Sequence, residues 1–414
     1  MTDANTVREE LRSWLADNWD PELSLREWRE RLADSGWGCP TWPQEWGGRG
    51  LAPSFADVVG HEIAAYGAVG VPGGVGMTLA GPTLLEQGDD ELKKRFIRPT
   101  ITGDISWCQL FSEPAAGSDL AGLRTHAVRD GDEWVVNGQK VWNTSAHHAD
   151  FGLLVARTDW DVPKHRGLTY FVLPMHQPGV EVRPLRQMNG HASFNEVFLA
   201  DARVPADHVI GDVGGGWAVA LTTLSHERRL ASALRGVPVP PGESRVFREA
   251  REEWIKANEP YVWYPQRAGR ADLVVRRAVE TGRGNDPAVR QEVARAISLA
   301  WTTRWMAQRA AAARKAGKPP GPEGSLAKLA GSNVARACRR AHEEIESGSA
   351  MLGGRDGGLG GVIPEVILSV PAVSIAGGTD EIQHNIIAER VLGLPKEPQI
   401  DRDMPFREVP AGRT

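Results

Sequence analysis

A strand-like apolar run that ends in a turn of small residues carries the first chemically suggestive pattern of this sequence. Residues 107–119 read Trp-Cys-Gln-Leu-Phe-Ser-Glu-Pro-Ala-Ala-Gly-Ser-Asp. Pro114 fixes φ and ends the strand, Gly117 lets a ligand approach the backbone closely, and Ser118 can cap the next element. Amide hydrogens exposed by such a turn suit an anion, so the pattern favours contact with a phosphate group. A simple surface turn is the alternative.

Two other segments contain groups that suit a cofactor or a substrate. Residues 138–144 read Gly-Gln-Lys-Val-Trp-Asn-Thr, and residues 377–383 read Gly-Gly-Thr-Asp-Glu-Ile-Gln. Taken alone, Trp142 is most simply a core aromatic residue that packs across strands after a hairpin turn.

A carboxylate that could remove a proton lies in the run from Leu221 to Arg229, which reads Leu-Thr-Thr-Leu-Ser-His-Glu-Arg-Arg. A carboxylate in a desolvated pocket has a raised pKa, which suits a general base near neutral pH. Taken alone, Glu227 is most simply a solvated helix residue paired with Arg228 or Arg229.

The elements that must position these groups differ in texture along the chain. Residues 1–105 show helical periodicity, and residues 106–213 show short alternating or apolar runs with Asp130-Gly131 and Asn137-Gly138 as hairpin signals. Residues 214–394 are helical again, and a charged, proline-containing tail follows from residue 395 to 414. These textures predict an α+β chain of three domains with an extended tail.

One helix of the second helical region carries a stripe of large apolar residues. Val293, Ile297, Trp301 and Trp305 recur at a spacing of four. Such a stripe predicts one buried helix face.

Composition excludes several classes of function. The 414 residues are 41% hydrophobic and 24% charged with a net charge of −5, which disfavours a nucleic-acid-binding protein. Three widely separated cysteines provide neither a disulfide framework nor a CxxC metal site, so we predict no metal. We found no GxGxxG or P-loop motif, signal peptide or membrane span, and we predict a cytoplasmic protein.

The three segments resemble, in order, the motifs of the acyl-CoA dehydrogenase family. The resemblance extends to Gly36-Trp37, to Trp42 through Gly48, to Phe194 through Phe198 and to the run Ile386 through Gly393. It implies an N-terminal all-α domain, a middle antiparallel β-barrel-like domain and a C-terminal four-helix bundle.

The resemblance also implies FAD, an acyl-CoA substrate, and an electron-transfer flavoprotein or similar acceptor. It assigns Ser118 to the FAD pyrophosphate and also to the substrate, and Arg228 to CoA. The other residues that it assigns to FAD are Leu110, Phe111, Ser112, Gly117, Trp142, Thr144, Gln291, Gly354, Thr379 and Glu381.

Catalysis by this family removes the α-proton of an acyl-CoA thioester while the β-hydrogen leaves as a hydride. Many members place the catalytic glutamate where this chain has Gly377, which has no side chain to act as a base. Glu227 instead matches the base of the subset that resembles isovaleryl-CoA and long-chain dehydrogenases. The backbone N–H of Gly377 is still available as a donor to the thioester oxygen.

Other departures from the family pattern leave two alternatives open. Residues 262–291 lack the Arg-x-x-Phe-Gly element that many members use at the partner's pyrophosphate, and Ala350 replaces a family glutamine. The family contains dimers and tetramers, so the resemblance implies one of these states. Together with Gly377, the missing element motivates one alternative, a non-catalytic or half-site subunit of a hetero-oligomer. The other is a flavin monooxygenase of the same fold.

Overall fold

Helices occupy the N-terminal part of the chain and most of its C-terminal half, and a sheet lies between them in sequence, as predicted. The structure, a computed structural model, describes residues 3–230, 236–317, 321, 323–398 and 401–410. The chain divides into two units. Unit 1 contains residues 1–185, 192–260 and 400–414, and unit 2 contains residues 186–191 and 261–399.

The helices of unit 1 begin and end at residues suited to those positions. Ser24 and Glu27 form a reciprocal capping box at the start of the second helix, and Gly36 ends it with a φ of 74°. Leu11 and Trp28 are fully buried in the core of these first helices. The helices are α1 (Ala4–Asn18), α2 (Leu25–Ser35), α3 (Phe55–Tyr66), α4 (Gly81–Gln87), α5 (Asp90–Thr102), α6 (Gly216–Leu230) and α7 (Arg245–Asn258).

Within the described residues of unit 1, the sheet has seven strands. Six of them lie in the order β1-β4-β2-β3-β7-β6, and β5 pairs with β4. The strands are β1 (Trp107–Leu110), β2 (His126–Asp130), β3 (Glu133–Thr144), β4 (Phe151–Arg157), β5 (Leu168–Pro174), β6 (Val180–Leu185) and β7 (Phe194–Pro205). Most pairs are antiparallel, but β1 and β2 each run parallel to β4. The sheet is therefore largely, not wholly, antiparallel.

The two hairpin signals have different outcomes. Asp130-Gly131 forms the turn between β2 and β3, as predicted, with Gly131 at a φ of 59°. Asn137-Gly138 lies inside β3, where the register with β7 shifts. A side chain on Gly138 would come within 2.3 Å of the Thr125 hydroxyl, so the glycine permits a close backbone approach. The hairpin reading of Asn137-Gly138 was wrong.

Unit 2 is helical. Its core contains Val274, Val289, Ala341 and Ile345, which are nearly or fully buried. The helices are α8 (Tyr264–Arg267), α9 (Ala271–Glu280), α10 (Pro287–Lys315), α11 (Glu323–Glu346), α12 (Val362–Ser369) and α13 (Asp380–Arg390).

The apolar stripe of α10 is exposed for much of its length, contrary to the predicted buried face. Trp301 is 48% exposed and Trp305 is 58% exposed, with their rings 6.0 Å apart. Periodicity identifies an apolar face but not what covers it, and the core of unit 2 lies mainly against other α10 positions, such as Val289 and Ala296. Among the described helices, none combines the length and apolarity needed to cross a membrane.

Candidate active site

The end of β1 leads from the core to an exposed loop. Leu110 is fully buried, and the Phe111 ring packs edge-on against Tyr170 at 5.8 Å. Ser112 is half-buried, and its carbonyl accepts a hydrogen bond of 2.9 Å from the Val141 amide. Gly117 and Ser118 are exposed just before a short 3-10 turn. The loop therefore has one buried, fixed end and one end open to a ligand.

Trp142 is held in an unusual position for a large residue. It lies where the register between β3 and β7 shifts, and its φ of 63° is in the left-handed region that bulky side chains rarely adopt. Its side chain is 56% exposed and touches Phe194 edge-on at 5.7 Å. Because more than half of the side chain is exposed, the core-aromatic alternative does not hold. Thr144, at the end of β3, is half-buried.

Helix α6 is fixed to the rest of unit 1 by Thr223, which is fully buried. The Thr223 hydroxyl lies 2.9 Å from the Tyr170 hydroxyl on β5 and 2.9 Å from the Thr83 hydroxyl on α4. It also donates to the Val219 carbonyl at 3.2 Å. Residues four apart share one helix face, so this anchor sets the direction of Glu227, one turn later.

Glu227 is half-buried, and the loss of hydration raises the pKa of its carboxyl group above the ordinary value. Gln109 on β1 opposes this rise weakly through a long contact of 3.4 Å between its amide nitrogen and Glu227 Oε2. The charge of Arg228, which is exposed, lowers the pKa of Glu227 less than the Gln109 contact does. Desolvation dominates, so Glu227 is not a freely solvated helix carboxylate.

Gln109 also connects Glu227 with the strand that carries Trp142. The Asn143 side chain donates a hydrogen bond of 2.7 Å to the Gln109 carbonyl. The Asn195 side chain donates to the Asn143 carbonyl at 2.9 Å. The sequence motifs do not point to Gln109, although a polar residue inside an apolar strand is an available signal.

The remaining predicted residues lie in unit 2. Gly377 and Gly378 have φ values of 69° and 84°, and the buried Gln383 side chain donates to both of their carbonyls at 3.3 and 3.2 Å. The Thr379 hydroxyl caps α13 by accepting from the Ile382 amide, and Glu381 in the first turn is exposed. Side-chain contacts thus fix the peptides on both sides of Gly378.

Gln291 and Gly354 are exposed residues of unit 2. Gln291 is the fifth residue of α10, and Gly354 has a φ of 57° in a short 3-10 turn. The predicted residues therefore divide between the units. Unit 1 contains Leu110, Phe111, Ser112, Gly117, Ser118, Trp142, Thr144, Glu227 and Arg228, and unit 2 contains Gln291, Gly354, Gly377, Thr379 and Glu381.

Three exposed side chains of unit 1 form a group that the sequence did not predict. Potential ligand atoms of His147, His148 and Glu259 lie within 4.8 Å of one another. Asn195, oriented by its bond to a backbone carbonyl, directs an N–H at His147 Nδ1 over 3.2 Å. This contact places the ring proton on Nε2, an arrangement that competes with metal coordination.

The exposed features of unit 1 fit the FAD that the resemblance implies. A flavin needs an aromatic wall and a few fixed polar groups. Trp142 presents an exposed ring, the loop from Phe111 to Ser112 is held by a backbone bond, and Gly117 and Ser118 are open at a turn. Trp142 would cover the flavin, and the loop would hold its edge and pyrophosphate.

Comparison with known proteins identifies the same family along the chain. Models of the N-terminal, middle and C-terminal domains of acyl-CoA dehydrogenases match residues 3–104, 108–202 and 270–392. Acyl-CoA dehydrogenase IpdE1 of Mycobacterium tuberculosis is 37% identical over 421 residues, which cover 96% of this chain and 99% of IpdE1. Acyl-CoA dehydrogenase FadE34 of the same organism is 38% identical over 88% of this chain, which spans only 46% of FadE34.

Solved structures show the same relationship. The Tcur3481-Tcur3483 steroid ACAD superimposes with a TM-score of 0.66 at 27% identity, covering 95% of this chain and 98% of that one. The ChsE4-ChsE5 complex from Mycobacterium tuberculosis gives a TM-score of 0.62 at 27% identity, covering 96% and 99%. The chain therefore belongs to the acyl-CoA dehydrogenase family and is an FAD-dependent oxidoreductase.

Proposed function

We propose that this protein dehydrogenates an acyl-CoA thioester between Cα and Cβ to give the trans-2-enoyl-CoA, with Glu227 as the base that removes the α-proton. The observation that carries the proposal is the position of Glu227. Its carboxyl group is half-buried with a raised pKa, on a helix face anchored by the buried Thr223. Dehydrogenation of acyl-CoA thioesters in general is the activity of the family.

The chemistry requires a base and a group that stabilises enolate charge. The α-proton of a thioester is weakly acidic, so a base with a raised pKa transfers it more effectively near neutral pH. Gly377 offers only its backbone, and we propose that its N–H donates to the thioester oxygen as negative charge develops there. FAD, when bound, supplies the acceptor for the β-hydrogen and its electron pair.

Stopped-flow spectroscopy under anaerobic conditions tests the role of Glu227. Wild-type protein mixed with a suitable acyl-CoA should lose its flavin absorbance, and Glu227→Gln should bind FAD normally yet bleach about 10²–10⁴-fold more slowly, the usual contribution of a general base. Glu86→Gln is a matched control, because Glu86 is a more exposed carboxylate that contacts His226 at 3.1 Å. Bleaching by Glu227→Gln at the wild-type rate would refute the assignment.

The substrate class that we propose is a CoA ester with a bulky, ring-bearing acyl group. Two observations support it: Gly377 lacks the side chain that many members place there, and the related structure at 27% identity is a steroid ACAD. Titration of the flavin with straight, branched and ring-bearing CoA esters tests this point. Faster bleaching by straight-chain esters would contradict it. We expect an electron-transfer flavoprotein or a similar acceptor to reoxidise the enzyme.

A second proposal is that the chain acts as one of two different subunits. The missing Arg-x-x-Phe-Gly element leaves the adenosine half of FAD without that arginine, and the ChsE4-ChsE5 structure is a complex of two named chains. Native mass spectrometry with flavin quantification distinguishes the states. A homo-oligomer with one FAD per chain would contradict the two-subunit proposal. Colourless protein that acquires FAD only with a sister chain supports the two-subunit proposal.

A further inference from the structure

A buried ion pair joins the two segments of unit 1 that we assign to the flavin. Lys140 is fully buried on β3, and its Nζ atom donates to Glu113 Oε1 at 2.9 Å. The same Nζ atom donates to the Phe111 carbonyl at 3.0 Å. Glu113 lies in the loop that contains Ser112 and Ser118, and Lys140 lies two residues before Trp142.

The Glu113 carboxylate makes further bonds that extend the network. Its Oε2 atom accepts from the Arg124 amide at 2.7 Å, and its Oε1 atom accepts from the Thr125 amide at 2.8 Å. Burial opposes the charge of Glu113, but the Lys140 cation and these N–H donors hold the pKa of the carboxyl group below its ordinary value. Burial lowers the pKa of the Lys140 ammonium group, and the Glu113 carboxylate beside it opposes that fall. The bonds of the pair reach the Phe111 carbonyl and the amides of Arg124 and Thr125.

Stability alone is a weak reason for such a pair. Replacing a buried ion pair by well-packed groups of similar size is often neutral or stabilising, whereas removing one partner leaves a costly unpaired charge. The positions of the bonds indicate another role, because Lys140 holds the Phe111 carbonyl and the next residue, Val141, bonds to the Ser112 carbonyl at 2.9 Å. The peptides on both sides of Ser112 are thus tied to the strand that carries Trp142.

We propose that Glu113 and Lys140 are positioning residues that fix the Phe111–Ser112 backbone relative to Trp142 and thereby set the affinity for FAD and the reduction potential of the flavin. The inference rests on the proposed assignment of these segments to FAD. It does not depend on Glu227, because FAD binding and flavin potential are measured without an acyl-CoA.

The test compares single and double variants of the full-length protein. Lys140→Met and Glu113→Gln should each lower the melting temperature of the apoprotein, since each disrupts the buried pair. The double variant Glu113→Gln/Lys140→Met should recover much of that loss, because no buried charge remains. Its dissociation constant for FAD, measured by flavin fluorescence, should nevertheless stay about tenfold or more above wild type, and its flavin potential should be shifted.

A second buried cation of unit 1 provides the matched control. Arg29, which is 4% exposed, pairs with Glu253 between α2 and α7. The double variant Arg29→Met/Glu253→Gln should keep the wild-type FAD affinity whatever its stability. If the double variant of Glu113 and Lys140 fails to fold, Lys140→Arg keeps the charge but alters the donor geometry, and it should weaken FAD binding. Wild-type FAD affinity and potential in whichever variant folds would overturn the proposal.

Discussion

The substitution Thr223→Val tests how the structure positions Glu227. The Thr223 hydroxyl has one hydrogen to donate and two lone pairs to accept with. The Val219 carbonyl takes the hydrogen, and the Tyr170 and Thr83 hydroxyls lie 2.9 Å away as the two donors. The hydroxyl is therefore fully satisfied, and valine, which is nearly the same size, removes all three bonds.

The cost follows from the two donors that lose their partner. Tyr170 is fully buried, and an unsatisfied buried hydroxyl costs about 1–3 kcal/mol. The Thr83 hydroxyl lies on a helix and can turn towards a carbonyl of the preceding turn, so it contributes at the low end. We expect Thr223→Val to lower the free energy of unfolding of the apoprotein by about 2–4 kcal/mol. Displacement of α6 should also slow flavin bleaching by about tenfold or more, because small misplacements of catalytic groups have large effects on rate.

Denaturant unfolding and stopped-flow bleaching measure the two effects. Ser225→Ala is the control, because Ser225 is exposed on the same helix and its loss should change the unfolding free energy by less than about 0.5 kcal/mol. The double variant Thr223→Val/Tyr170→Phe removes the unpaired tyrosine hydroxyl and should recover about 1 kcal/mol relative to additivity. Stability and bleaching of Thr223→Val both within the range of the control would refute the reasoning.

Other predictions concern pH, the C-terminal segment and the aromatic wall. The pKa of Glu227 is raised above its ordinary value in the folded state, so the native protein binds more protons than the unfolded chain between the two pKa values and loses stability as pH rises. The apoprotein of Glu227→Gln should therefore have a higher melting temperature than wild type at pH 8. Equal melting temperatures would contradict this prediction. Phe406 is buried and stacks on the Arg157 guanidinium at 3.5 Å. Phe406→Ala should lower the free energy of unfolding by about 3 kcal/mol and make residues 401–410 accessible to proteases. Proteolysis of this variant at the wild-type rate would show that Phe406 does not anchor the segment. Because Trp142 is 56% exposed, Trp142→Ala should leave the apoprotein melting temperature nearly unchanged and weaken FAD binding about tenfold; unchanged FAD affinity would remove Trp142 from the cofactor site.

The sequence predicted the order of helices and strands because periodicity reports which face of an element is apolar. It predicted helices, then strands, then helices, and the structure has the elements in that order. It could not predict what covers a face, and Trp301 and Trp305 are therefore exposed where a buried stripe was expected. A covering surface depends on contacts that are distant in sequence.

The sequence could predict candidate site residues that lie within one motif. It could not predict contacts between residues that are distant in sequence. The motifs pointed to Trp142 and Glu227, whose roles stay predictions. They did not indicate the left-handed backbone of Trp142, which lies at the register shift between β3 and β7. They also did not predict Gln109 beside Glu227, or the pairing of Lys140 with Glu113, because these contacts join separate elements.

Hydrogen exchange at Cα tests the central claim most directly, since it isolates proton removal from the rest of the reaction. Phenylacetyl-CoA has α-hydrogens but no β-hydrogen on a saturated carbon, so incubation with the enzyme in D₂O reports proton abstraction alone, measured by mass spectrometry. We predict that wild-type enzyme incorporates deuterium at Cα and that Glu227→Gln does so about 10²–10⁴-fold more slowly, with FAD still bound. Exchange by Glu227→Gln at the wild-type rate would show that another group is the base.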